Sequence, residues 1–130
     1  MKLEFLEDIN RGAAEKGISD NLVRLFDFDE GETGELVHLI EESLLGEGRD
    51  IALAEVPFIT MINCSLVLRL GTQDRGVLRT EAPGAFVCEL SGETWLDAME
   101  TMQFTEHGFN WLCETSRDNI DLLYSPDGTW

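Results

Sequence analysis

Positively charged side chains are scarce in this chain, and residues 25–48 contain no lysine or arginine at all. The same stretch carries eight carboxylates: Asp27, Asp29, Glu30, Glu32, Glu35, Glu41, Glu42 and Glu47. Like charges without compensation repel one another, so such a segment favours either full solvation or a positively charged partner. The missing bases therefore mark this stretch as the first candidate binding surface.

The scarcity of bases extends to the whole chain, in which only Lys2 and Lys16 are lysines. With 26 acidic and nine basic residues, the formal net charge is −17. A surface this negative repels nucleic-acid phosphates and anionic lipid headgroups, which predicts no direct nucleic-acid binding and no membrane binding. A proteome that is acidic throughout would produce the same bias without any functional meaning.

Cysteine is also rare: Cys64, Cys88 and Cys113 form neither a CxxC motif nor an even-numbered framework. This pattern predicts free thiols in a reducing compartment, and hence a cytoplasmic protein. Residues 1–10 lack the basic and apolar regions of a signal peptide. The longest stretch of low charge, Val56–Leu68, is too short to cross a bilayer, so the sequence predicts no membrane span.

The familiar catalytic signatures are absent as well, since the sequence contains no GxGxxG, P-loop, HExxH or GxSxG motif. The segment from Asp27 departs from the EF-hand pattern. Gly31 and Glu32 take its fifth and sixth positions, and His38 stands where the bidentate glutamate belongs. No local signature pairs His38 or His107 with a cysteine nucleophile. The sequence therefore predicts a non-enzymatic protein with no catalytic residues, no metal site and no cofactor.

The apolar content is sufficient for one core. With 130 residues, of which 43% are hydrophobic, the chain is predicted to form a single globular domain over residues 1–130. Helical spacing of apolar residues predicts two N-terminal helices, at Leu3–Lys16 and Thr33–Leu45, each followed by a glycine. Ser91 can cap a later helix. The apolar face of that helix would contain Trp95, Ala98, Met99 and Met102.

Alternation of apolar and polar residues predicts strands near residues 59–70, 77–81 and 85–90. The side chains that face the core would be Cys64, Leu66, Leu68, Phe86 and Cys88. Further strands are predicted at Phe109–Cys113, whose pattern also fits a helix, and at Ile120–Tyr124. Short connections predict antiparallel pairing. The result is an α+β fold in which an antiparallel sheet, a meander of three or more strands, packs against two N-terminal helices and one later helix.

The functional prediction is based on composition, which is shared by toxin-immunity proteins and protein mimics of DNA without implying a common family. It is a non-enzymatic acidic binding protein that captures or inhibits a basic protein partner, because opposite charge accelerates encounter. The predicted partner-binding residues are Asp27, Asp29, Glu30, Glu32, Glu35, Glu41 and Glu42. Charge reversal of Asp29, Glu30 and Glu32 is expected to leave the fold intact.

Other interpretations stay open. The same carboxylates are equally compatible with a solvated loop and helix face. A small ligand-binding or enzymatic domain would have an apolar pocket with a polar group between sheet and helices. A third interpretation is an accessory subunit of an assembly, in which Trp130 would be a contact residue. The acidity of the chain would then reflect a proteome that is acidic throughout. Five aromatic residues are predicted to belong to the core rather than to a ligand cage: Trp95, Phe104, Phe109, Trp111 and Tyr124.

Overall fold

The computed structural model describes residues 1–7, 21–114 and 116–129, and Trp130 lies outside these ranges. The described elements follow in the order β1 (Lys2–Leu6), β2 (Asn21–Phe26), α1 (Glu30–Leu39), β3 (Ile51–Ala52), β4 (Thr60–Met61), β5 (Ser65–Gly71), β6 (Gly76–Arg79), β7 (Ala85–Ser91), α2 (Gly92–Phe104), β8 (Asn110–Cys113) and β9 (Ile120–Ser125). A π-helical segment, Ile40–Gly46, continues α1, and a 3₁₀ turn, Leu53–Glu55, follows β3.

The strands form two mixed sheets, one in the order β4-β1-β2-β9-β8 and the other in the order β3-β5-β7-β6. Both sheets and both helices contribute to the hydrophobic core. The rings of Phe5 in β1 and Phe86 in β7 meet between the sheets, with 4.7 Å between their centroids. The predicted α+β class is confirmed. The purely antiparallel sheet is wrong, and the described residues contain two α-helices where three were predicted.

The predicted meander fails at the pairing of β5 with β7. These strands are parallel, with Leu66 opposite Phe86 and Leu68 opposite Cys88, and β6 pairs antiparallel with β7 at the edge of the sheet. Residues 72–84 connect β5 to β7 and include β6. Two parallel strands need a connection of about a dozen residues or more, and this segment is long enough. Alternation identifies which side chains face the core, but it does not identify the neighbouring strand.

The start of the chain is a strand, so the helix predicted at Leu3–Lys16 is wrong over its first residues. β1 pairs antiparallel with β2, which places the buried Leu3 opposite Leu25. Pairing with a neighbouring strand and burial of side chains outweigh the weak intrinsic preference of so short a segment for a helix. The rest of the predicted helix, residues 8–16, lies outside the described residues.

The strand predicted near residues 59–70 is divided between the two sheets. Its second half forms β5, whereas its first half contains β4, which pairs parallel with β1. Between them the Asn63 side chain acts as a strand neighbour. Its Oδ1 accepts a hydrogen bond from the Phe5 N–H at 2.7 Å, and its Nδ2 donates one to the Phe5 carbonyl at 2.8 Å. Ile62, which alternation would turn inward, is 49% exposed.

Both described α-helices lie near their predicted positions. α1 begins at Glu30 rather than Thr33, because the Asp29 carboxylate accepts a hydrogen bond from the Glu32 N–H at 2.9 Å and caps the helix. Ser91 caps α2, as predicted. The predicted apolar face of α2 is buried, including Trp95, Ala98, Met99 and Met102.

The core residues predicted from alternation are all buried: Cys64, Leu66, Leu68, Phe86 and Cys88. Burial raises the pKa of the Cys64 thiol to about 11. The contact with Cys113, together with burial, raises the pKa of the Cys88 thiol well above its ordinary value. The two sulfur atoms of that contact are 3.9 Å apart. Cys113 is half-buried and is the most accessible of the three thiols.

We expect one thiol per chain to react quickly with an aromatic disulfide reagent at neutral pH under native conditions. The thiolate is the reactive form and must be accessible, so Cys113 should account for the fast phase. All three thiols should react after denaturation, and Cys113→Ser should remove the fast native phase. Rapid labelling of Cys64 or Cys88 in the native protein would show that the inward faces are assigned incorrectly.

Candidate functional site

The predicted partner-binding carboxylates lie on α1, on the turn before it and on the π-helical segment after it. Leu36, Ile40 and Leu44 anchor these helical turns because all three side chains are fully buried. The acidic residues therefore project from backbone that is fixed against the core. Three residues of the predicted set make contacts that hold the beginning of α1, although Asp27 and Asp29 among them are also exposed, and the other four lie on the exposed side of the helical turns.

Three of the carboxylates take part in the fold. Asp27 pairs with the Lys2 ammonium group at 2.9 Å, and this hydrogen bond lowers the pKa of Asp27. Asp29 caps α1, as described above. Glu32 Oε2 lies 2.9 Å from the amino group of Met1. One ion pair thus joins β1 to the turn before α1, and a second joins Met1 to the first turn of α1.

The other four carboxylates are exposed: Glu30, Glu35, Glu41 and Glu42. Glu42 Oε1 lies 3.7 Å from His38 Nε2, one helical turn earlier, and both side chains are largely solvated. Arg49, the first arginine after the acidic stretch, pairs with Glu47. The exposed side of α1 and of the π-helical segment is therefore a surface of one charge sign. Sequence reasoning located this surface, but it could not separate these four residues from Asp27, Asp29 and Glu32.

An apolar hollow, which we call the α1 hollow, runs beside this acidic surface. Its volume is about 740 Å³, and its lining consists of Gly31, Gly34, Glu35, His38, Leu39, Val56, Pro57 and Phe58. The five residues from α1 are spaced i, i+3, i+4, i+7 and i+8, so they form one side of the helix over about two turns. The segment 56–58 forms the opposite wall. Sequence reasoning did not find this hollow, because its two walls are distant in the sequence.

A second hollow, of about 530 Å³, lies between the beginning of α1 and the end of α2. His107 Nδ1 and Asp127 Oδ2 are 3.2 Å apart at its edge, and both side chains are solvated. Thr33 lines the hollow and shares a hydrogen bond of 2.5 Å with the hydroxyl group of Tyr124, whose pKa burial raises to about 12. Among the described residues, no group of three or more histidine, cysteine or acidic side chains could hold a metal ion.

The aromatic residues divide into two groups. Trp95 and Tyr124 are fully buried, as predicted, and Trp111 is half-buried. Phe104 is 78% exposed and Phe109 is 41% exposed, so the prediction that they belong to the core is wrong. Both lie at or beyond the last turn of α2, where the chain leaves the core.

The fold and the surface together define an α+β protein with two mixed sheets, an acidic helical face and an adjacent apolar hollow. No family model matches the chain, and no curated protein matches it in sequence. No helix in the described ranges is long and apolar enough to cross a membrane.

Proposed function

We propose that this protein is a non-enzymatic acidic binding protein that captures a basic protein partner and inhibits it by covering its cationic surface. The observation that supports the proposal is the set of exposed carboxylates on α1 and the π-helical segment, with no lysine or arginine in residues 25–48. A helical surface of one sign, anchored to the core, keeps its charges in a fixed arrangement. Fixed charges give both faster encounter and discrimination between partners.

The net charge of −17 favours a protein partner over a nucleic acid. Nucleic-acid binding depends on neutralising phosphates with lysine and arginine, and this chain has a large excess of the opposite sign. A protein that binds nucleic acid has the complementary basic surface. Toxin-immunity proteins and protein mimics of DNA are the kinds of inhibitor that this chemistry resembles.

The sequence suggested a variant in which the charges of Asp29, Glu30 and Glu32 are reversed. Two of these three residues are unsuitable for a binding test. Asp29 caps α1, and loss of such a cap costs about 1 kcal/mol. Glu32 contacts the amino group of Met1. Reversing either charge would lower the stability of the fold as well as change the surface. Glu35, Glu41 and Glu42 are exposed and serve the test better.

We expect the reversal of Glu35, Glu41 and Glu42 to lysine to slow partner association by about tenfold or more, because steering charges act mainly on the association rate. Wild-type binding should weaken as salt rises, since attraction is screened over roughly 8 Å at physiological ionic strength, and the variant should depend less on salt. The partner is obtained by affinity capture with stepwise salt elution. Its association rate is then measured by surface plasmon resonance.

The matched control reverses Glu81, Asp97 and Glu100, which are exposed elsewhere on the molecule. It changes the net charge by the same amount but leaves the surface of α1 unchanged. The control should retain most of the wild-type association rate, and both variants should melt close to the wild-type temperature. If both variants slowed association equally, the effect would come from net charge and not from the surface of α1. If the affinity of the partner changed with neither variant nor with salt, acidic capture would be ruled out.

A further inference from the structure

The α1 hollow combines a mainly apolar lining with an open position on the surface. Leu39, Val56, Pro57 and Phe58 contribute its apolar side chains, and Gly31 and Gly34 expose helix backbone between them. At a rise of 1.5 Å per residue, the α1 side of the hollow extends about 12 Å from Gly31 to Leu39. That length corresponds to two turns of a second helix lying alongside. Its volume of about 740 Å³ can accommodate several side chains.

Gly34 is unusual because nothing inside the described protein requires it. A Cβ atom added there would meet no atom within 4 Å. Glycine in a helix interior is nevertheless less favourable than alanine, because it loses more backbone freedom on folding. Gly34 lines both the α1 hollow and the second hollow, so the missing side chain leaves the helix backbone accessible between the two. A glycine at such a position allows the backbone of another chain to approach the helix closely.

The charge around the hollow selects the kind of occupant. Glu35 lines it, and Glu42 continues the acidic edge one turn beyond His38. A second copy of this chain, with its own net charge of −17, would be repelled. An apolar segment without charge would leave the acidic edge unpaired. A complementary segment therefore has apolar residues on one side and lysine or arginine flanking them.

We propose that the α1 hollow binds a basic amphipathic α-helix of the protein partner. Apolar side chains of that helix, spaced i, i+3, i+4 and i+7, would enter the hollow and cross close to Gly34, while flanking basic side chains would contact Glu35 and Glu42. The carboxylates steer the encounter, and the apolar contacts slow dissociation. This inference rests on the proposed function and names the part of the partner that is recognised.

Two synthetic peptides of about 18 residues test the inference, with equal numbers of arginines and no acidic residues. The amphipathic peptide has a stripe of leucines with one tryptophan, and the polar peptide has glutamine at those positions. Fluorescence anisotropy at about 0.15 M salt measures their affinities. We expect 1:1 binding of the amphipathic peptide, at least about tenfold tighter than the polar peptide, because burial of two or three apolar side chains exceeds the 1.4 kcal/mol that a tenfold difference represents.

Gly34→Leu adds an apolar side chain at the edge of the α1 hollow, where another helix would cross, without changing charge. It should abolish the tenfold preference while leaving the weaker binding of the polar peptide intact, and the melting temperature should stay equal or rise. Gly34→Gln is the second variant if the leucine variant folds poorly. Gln103→Leu, an exposed position on α2 outside the α1 hollow, is the matched control and should retain the preference. Amide shifts in NMR spectra of the complex should be largest at Leu39 and Phe58.

The outcomes separate this inference from the proposed function. Equal affinities for the two peptides, both lost on reversal of Glu35, Glu41 and Glu42, would overturn the role of the hollow and leave acidic capture standing. A preference that survives Gly34→Leu would place the apolar contact elsewhere and also overturn it. Absence of binding by either peptide would count against both proposals.

Discussion

Leu68→Asp is expected to leave the protein without a stable folded state. Leu68 is 1% exposed and lies in β5, opposite Ile51 of β3 on one side and Cys88 of β7 on the other. An unpaired carboxylate at this position must be buried without a counterion or take up a proton, and either costs several kcal/mol. Loss of the leucine side chain adds a cavity cost of about 2–5 kcal/mol. The sum is comparable to the whole stability of a typical domain, about 5–15 kcal/mol.

Far-UV circular dichroism and size-exclusion chromatography should report an expanded chain without a cooperative thermal transition. Leu96→Asp is the matched control, since it makes the same chemical change at a position on α2 that is 56% exposed. This control should melt within a few degrees of the wild type. If Leu68→Asp also melted cooperatively near the wild-type temperature, the placement of β5 in the core would be incorrect.

Trp95→Ala is expected to lower the free energy of unfolding by about 3–5 kcal/mol, the usual cost of removing a large buried aromatic side chain. Trp95 is fully buried on α2, and its indole Nε1 donates a hydrogen bond of 3.0 Å to the carbonyl oxygen of Arg69 in β5. The side chain thus joins the helix to the centre of the second sheet by packing and by a polar contact. Urea unfolding, followed by circular dichroism, measures the change from the shift of the midpoint at constant slope.

Two comparisons make this result specific. Trp95→Phe retains most of the packing but removes the hydrogen bond. Its free energy of unfolding should therefore lie between that of the wild type and that of Trp95→Ala. Phe104→Ala removes an aromatic ring from the same helix where it is 78% exposed, and should change stability by less than about 1 kcal/mol. A loss as small for Trp95→Ala as for Phe104→Ala would be inconsistent with a buried indole.

Local patterns predicted α1 and α2 because the information needed for them lies within a few residues, but they also predicted a helix at Leu3–Lys16, whose first residues form β1. The face of α2 that contains Trp95 and Met99 follows from helical spacing, and the cap at Ser91 follows from its hydrogen-bonding chemistry. The helical segment after Asp29 was also found, although its start was placed three residues late. The Asp29 cap sets the start of α1. Because Asp29 lies among other acidic residues, its role as a cap could not be recognised from the sequence.

The strands show how much pairing adds to alternation. Cys64, Leu66 and Cys88 face the core as their parity predicted. The same parity describes an antiparallel meander and a parallel pair equally well, so it could not reveal that β5 and β7 are parallel. Nor could it show that the chain passes from the first sheet to the second near Asn63, whose amide binds Phe5.

The candidate site was predictable in its charge but not in its shape. Residues 25–48 indicate an acidic surface because they carry eight carboxylates and no lysine or arginine. The division between structural and exposed carboxylates required the positions of Lys2 and Met1, which lie far away in the sequence. The α1 hollow required Pro57 and Phe58 to pack opposite Gly34.

The sequence by itself determined the α+β class, the two helices with their apolar faces, the inward residues of β5 and β7, and the sign of the surface charge. These properties depend on composition and on periods of two or 3.6 residues, which any local window contains. Only the tertiary structure decided the order and direction of the strands, the formation of a strand rather than a helix by the residues of β1, and the existence of a hollow beside the acidic helix. Those properties depend on contacts between distant segments, whose free energy outweighs weak local preferences and leaves no periodic trace in the sequence.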